Sequence, residues 1–301
     1  MANDLSAFIP QVWSRRIIEN INQVNLAKSI MTNSNYEGEI QTAGDTVQVR
    51  TFGSITVSTY TRGLPIVPQS LTPVKETLVV NNSQYFAFDV DSLDIAQNDV
   101  NAIDGYTRRA GVAMSNAIDS FVMSKVLSAN AANVIGTTAA PIAITPDTAG
   151  TAVYELLVKA AKNLDSLNVP ADARWAILTP FFKSLVMTST KYFIRATEMG
   201  DAIVRTAGIS ASEATRVGFI GQAGGFDCYM SNNLPTNATY WANAYGQDKP
   251  ISYAAQIPPS TLEAIRLETT FATRVRGLLL QGAQVFAEDS KKLGVIYTTN
   301  A

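Results

Sequence analysis

The carboxylates Asp89, Asp91, Asp94 and Asp99 lie close enough in sequence to suggest a divalent-cation site or an acid-base pair. A calcium loop needs a glycine at its sharp turn and a distal glutamate, and neither is found here. Capping of the following helix by Asp91 or Asp99, with solvation of the others, is the favoured reading. The run GFIGQAGG, Gly218 to Gly225, could approach a phosphate only by glycine content, because it has neither GK[ST] nor G-x-G-x-x-G; a tight turn between strands is expected. Glu263, Glu268 and Glu288 show no spacing that pairs them across a reacting bond. The chain contains no histidine, which removes the commonest general base, the commonest metal ligand and every Ser-His or Cys-His nucleophile. Its single cysteine, Cys228, sits in the apolar run FDCYM and reads as a buried structural thiol. No enzymatic activity, cofactor or metal is expected.

Composition points to association rather than chemistry. The 301 residues are 47% hydrophobic, ample for a buried core, yet only 16% are charged and the net charge is -2. A surface so sparsely charged suits extensive contact between copies. The near balance of 23 Lys plus Arg against 25 Asp plus Glu leaves no basic excess, so any contact with DNA is expected to be weak and local. The pairs Arg15-Arg16 and Arg108-Arg109 read as solvated faces or interface partners, with a modest role facing DNA left open. No apolar run approaches the roughly 20 residues that span a bilayer, and MANDLSAFIP lacks the form of a signal peptide, so a soluble cytoplasmic product is expected.

The elements that position these residues are partly legible. Val12, Ile17, Ile21 and Val24 recur at near-helical spacing and predict an N-terminal helix or arm. Thr46 to Arg50, Thr77 to Val80 and Tyr85 to Val90 read as strands. From Asn101 to Ala129 the period turns helical, with a stripe of Ile103, Tyr106, Ala110, Ala113, Ala117 and Phe121 flanked by Met114, Ile118, Val122 and Val126. A second unit opens near Pro146 with a helix through Leu164, then strand Arg174 to Leu178 and a helix from Pro180 with Thr179 as its N-cap. Strands are predicted at Thr215 to Ile220, Phe226 to Ser231, Tyr240 to Ala244 and Ala264 to Thr269, with two or three more after Phe271. The class is α+β.

One stretch has strands at its base and no core of its own. From Thr51 to Pro73 there are five threonines, three prolines, two glycines and the single charge of Arg62, with Phe52, Ile55, Val57 and Tyr60 scattered among them. Ordering each residue costs roughly 1–2 kcal/mol of backbone entropy, which an isolated ribbon barely repays. Another subunit is the expected support. Trp13, Ile17, Phe52, Ile55, Val57, Tyr60 and Arg62 are therefore expected at contacts between copies.

The segments FIPQVWSRRIIENI, YEGEIQTAGDTVQV, YFAFDVDSLDIAQND, GFDCYMSNNLP and FATRVRGLLLQGAQVFAEDS, in this order, resemble the major capsid proteins of tailed bacteriophages, with the Hong Kong 97-type capsid fold. The resemblance implies an N-terminal arm at 1–39, an extended β-hairpin loop at 40–90, a peripheral domain with a spine helix at 91–147 and 266–301, and an axial domain at 148–265. It implies a homo-oligomer of hexamers and pentamers enclosing double-stranded DNA in an icosahedral virion, made and assembled in the host bacterial cytoplasm. A portal and, optionally, a decoration protein accompany such shells. With the arm opening near residue 8, scaffolding is expected as a separate protein or an already cleaved segment. Some relatives crosslink through a lysine of the extended loop. Thr51 to Pro73 has none and Lys75 lies towards the hairpin base, so a non-covalent clasp is expected. The alternatives are an encapsulin-like cellular compartment of the same fold and, more distantly, a small β-rich adhesion module.

Overall fold

A computed structural model describes residues 26–36, 46–52, 55–63, 65–66, 68–70, 73–91, 102–144, 149–188, 194–195, 219–257 and 262–300. Two sheets and one long helix organise them. The larger sheet has, as neighbours, Val134–Ile135, Leu293–Asn300, Tyr240–Gln247, Arg174–Leu178, Phe226–Met230, Phe219–Ala223 and Ile194–Arg195, with Ile142–Ile144 and Thr236–Asn237 attached at its sides. The smaller sheet is built on Ala272–Gln284. Asn82–Asp91 pairs along one side of that strand, and Leu262–Arg266 and Ile251–Ile257 share the other. Thr32–Asn33 adds a short parallel edge.

The larger sheet is buried on both faces, and the strand residues alternate between two cores. Trp175, Ile177, Ala242, Ala244, Leu293, Val295 and Tyr297 face one core, whereas Ala176, Leu178, Tyr245 and Ile296 face the other. This is the period-2 geometry of a strand applied to a sheet covered on both sides. The helices Ala149–Ser166 and Pro180–Thr188 cover the second face through Val153, Leu157, Ala160, Leu164 and Phe182. The long helix Ala102–Ser124 and the smaller sheet cover the first. Val153, Leu157, Ala160 and Leu164 follow the three- and four-residue spacing that puts one helical stripe inside.

Local chemistry sets the ends of these helices. Asn168 takes φ 57°, and the Val169 N–H returns to Leu164 O at 3.1 Å, so the first of the two helices ends in a left-handed cap just before Pro170. The buried Arg174 guanidinium then donates to Val169 O and Pro170 O at 2.9 and 3.0 Å and pairs with Asp165, fixing the turn into the central strand. Thr179 does stand at the head of the next helix, but its hydroxyl donates to Asn243 Oδ1 at 2.9 Å instead of accepting a helix N–H. Lys183 N–H bonds the Thr179 carbonyl.

Several expectations are corrected. On the long helix the deeply buried stripe is Met114, Ile118, Val122 and Val126, and Tyr106 lies outside it, because alanines remove too little area to win the core-facing side from Met, Ile and Val. The α-helix stops at Ser124 and continues as a 3-10 turn, Lys125–Ser128. The strand Ile251–Ile257 is additional to the expected ones, and the chain passes from the larger to the smaller sheet between Gln247 and Ile251. The last strand returns to the larger sheet. Gly224 and Gly225, at φ 59° and 85°, do make the tight turn, joining Phe219–Ala223 to Phe226–Met230 as a two-residue hairpin. Cys228 is fully buried, and burial pushes its thiol up to about 12.

Phe182 is fully enclosed in the second core. Replacing it by alanine should cost about 3–5 kcal/mol of unfolding free energy, read as a lowered urea midpoint of the unassembled subunit.

Candidate functional site

The strands Thr46–Thr51 and Val74–Val79 pair antiparallel, Thr46 opposite Val79 and Thr51 opposite Val74. Alternation places Val47 and Leu78 inward, where they meet Val80, Ala254 and Phe286 in a small third core. The hairpin base is thus part of the body. Two further contacts set where it leaves. Glu76 Oε2 accepts the Ala287 N–H at 2.8 Å, supplying from a distant strand the cap that Phe286 lacks for the helix Ala287–Ser290. Gly282 lies so close under the hairpin that a Cβ there would be 2.4 Å from the Val79 carbonyl oxygen.

Beyond Thr51 the ladder stops. Among the described residues between Phe52 and Pro73 there is no strand, and Thr56 N–H to Gln69 Oε1 at 2.9 Å ties the two limbs together. Phe52 and Val57 are 91% and 94% exposed; Ile55, Tyr60 and Ile66 are also exposed, and Arg62 is exposed beside them. The structure therefore brings together Phe52, Ile55, Val57, Tyr60 and Arg62 as one projecting arm. Trp13 and Ile17 lie outside the described residues, as do Asp94, Asp99 and the pair Arg15-Arg16.

The outer face of the smaller sheet is a second exposed surface. Tyr85, Ala87, Ile257 and Leu278 line an open groove of about 500 Å³. Across it Arg274 Nε and Nη2 grip Asp89 Oδ1 and Oδ2, both at 2.7 Å, and Arg276 donates to Glu263 at 2.6 and 2.8 Å. The hydrogen bonds from Arg274 hold the Asp89 carboxyl below its usual range. Asp89, expected to be merely solvated, is thus a cross-strand partner, and Asp91 closes the strand Asn82–Asp91. Among the described residues no group of three or more His, Cys, Asp or Glu is placed to hold a metal ion.

Sequence reasoning did not single out Glu76, Gly282 or the paired arginines. Glu76 carries the one usable signal, an acidic side chain in an otherwise patterned hairpin strand; the others depend on pairing partners far away in sequence.

Among the described residues, these geometries can hold surfaces together. Comparison with known proteins points the same way. A family model described as phage capsid protein matches residues 75–290. No curated protein matches the chain. Among solved structures, a chain from Mycobacterium phage Che8 is 23% identical, with 89% of each chain covered and a TM-score of 0.66. The capsid of Ralstonia phage GP4 is 10% identical, covering 89% of this chain and 86% of that one, again with a TM-score of 0.66. A virus-like particle from Pyrococcus furiosus is 10% identical, covering 95% and 98%, with a TM-score of 0.55.

Gly282→Ala should force the hairpin base to shift against Val79. The expected cost is about 1–3 kcal/mol of stability, seen as a lower denaturation midpoint together with faster hydrogen exchange in Val74–Val79.

Proposed function

Because this chain belongs to the phage capsid protein family, we propose that its copies are joined by the Thr51–Pro73 arm of one lying across its neighbour. The protein is a major capsid protein with the Hong Kong 97-type fold, a structural component of an icosahedral phage shell. The observation that carries the clasp is the exposure of Phe52, Ile55, Val57, Tyr60 and Ile66 on a hairpin whose base is anchored and whose far part contributes no described residue to a core. Burying such a side chain is worth about 1.5–3 kcal/mol, and association of two bodies costs about 4–15 kcal/mol. One arm is therefore near break-even alone, and a ring of arms adds up. Arg62 supplies the arm's one charge for an acidic partner group. With no lysine between Thr51 and Pro73, and Lys75 set opposite Arg50 in the hairpin base, the clasp is non-covalent.

The remaining organisation follows the same reading. The smaller sheet with the long helix forms the peripheral part of the subunit, and the larger sheet with its two covering helices forms the axial part, set around the capsomer axis in hexamers and pentamers. Trp13 and Ile17, in the N-terminal arm, add further contacts. Assembly takes place in the bacterial cytoplasm with the help of scaffolding and a portal, with or without a decoration protein, around double-stranded DNA held by weak contacts. The virion capsid is the protein's place, and its role is structural rather than enzymatic. The second reading is the shell of a cellular compartment, favoured by the likeness to the Pyrococcus furiosus particle. Purified particles decide between the two: DNA and a portal vertex support the first, a packaged enzyme the second.

Deleting Thr51–Pro73 should leave a folded, soluble subunit, because none of the three cores includes a described residue of that stretch. Negative-stain microscopy should show no closed shells, and normal particles from the deletion variant would refute the clasp.

A further inference from the structure

The long helix carries a buried carboxylate that the assembly reading leaves unused. Asp119 is 1% exposed. Its Oδ2 accepts the backbone N–H of Leu26, 93 residues away, at 3.2 Å, while Oδ1 is buried without a hydrogen-bond partner. Leu26 opens the short helix Leu26–Met31, whose Leu26, Ala27 and Met31 enter the main core beside Met114, Ile118 and Val122. Asp119 thus supplies, from another element, an acceptor for the first described amide of that helix. It stands where the N-terminal segment is fastened to the body.

We propose that Asp119 is a proton-operated fastening: it takes up a proton when the segment opening at Leu26 docks, so that docking tightens as the solution becomes more acidic. The proton from solvent settles on Oδ1, and Oδ2 continues to accept the Leu26 N–H. Neutralising the group removes the cost of keeping a charge out of water and leaves that bond in place. Burial is the dominant influence and pushes the carboxyl up to about 6, while the amides of Leu26, Ala27 and Lys28 and the Asn233 side chain pull it partly back.

The charged neighbours are few. On the facing helix the one charge is Lys28, whose Nζ lies 5.0 Å from the Tyr253 ring centroid. The segment Ser231 to Pro235 has no ionisable side chain. On the long helix itself Arg108 and Arg109 are exposed, and Lys125 Nζ lies 5.0 Å from the Phe121 ring centroid.

The sign follows from linkage. Undocked, the carboxyl would be in water and titrate near its ordinary 3.8. Docked, it binds its proton more tightly, so this contribution is fully present below about 4 and is lost as pH rises through about 6. Between pH 7 and pH 5 the ratio of docked to undocked segment should rise about tenfold.

Hydrogen exchange at the amides of Leu26, Ala27 and Lys28, in the full-length chain and corrected for the intrinsic pH dependence of exchange, tests this. Wild-type protection should increase about tenfold from pH 7 to pH 5, and Asp119→Asn, which cannot titrate, should give a flat profile. The proposal is overturned if wild-type protection is flat or falls on acidification, or if Asp119→Asn keeps the wild-type pH dependence. Should Asp119→Asn not fold, Asp119→Glu replaces it: the retained carboxyl should preserve the rise towards pH 5 with a shifted midpoint, and a flat profile would be decisive against the proposal. Particle formation plays no part in the readout, so the result stands apart from the capsid reading.

Discussion

The strand Leu293–Asn300 is the member on which the rest of the structure depends. It lies between Tyr240–Gln247 on one side and the short strands Val134–Ile135 and Ile142–Ile144 on the other. Leu293, Val295 and Tyr297 enter the core shared with the long helix and the smaller sheet, and Ile296 enters the core under the two covering helices. A β-strand can serve two cores in this way because successive side chains point to opposite faces. Close contacts leave little freedom in its register: a Cβ on Gly294 would sit 2.2 Å from the Tyr245 ring, and Asn133 Nδ2 donates to Lys291 O and Leu293 O at 2.6 and 3.1 Å. A shift of one residue would exchange the two sets of side chains between cores.

The body and the arm sit at opposite ends of the stability scale. The strand Arg174–Leu178 is buried at every residue, whereas the arm beyond Thr51 is exposed at every described apolar position. What joins them is a small hinge region of Val47, Leu78, Val80 and Phe286, the Glu76 cap and the close crossing at Gly282. A subunit built this way is fully folded yet incomplete. Its two most exposed large apolar side chains, Phe52 and Val57, lie on the arm, and the low overall charge does little to keep copies apart.

Much of this was legible in the sequence where local signals and packing agree. Arg174 to Leu178 reads as a buried strand because it is a short apolar run, and Pro180 marks the following helix start; both are found. The exposed arm was readable from what it lacks. Ile251–Ile257 was hidden because ISYAAQI places small and polar residues in a buried strand, where Ser252 and Tyr253 are kept by hydrogen bonds to Asn33 and Gln281. Periodicity alone does not locate the buried stripe on the long helix, because it counts alanine with methionine, whereas burial depends on area. Asp119, Gly282 and the Arg274–Asp89 pair belong to long-range register, which no local pattern encodes.

The two-core strand also bears on when a subunit becomes competent. Leu293–Asn300 follows every other described strand in the chain, so until it pairs both cores lack a central member, although the arm is made long before. Chain order therefore separates the sticky part from the platform that must present it. A chain that has not yet placed this strand carries the exposed arm without the finished body that presents it.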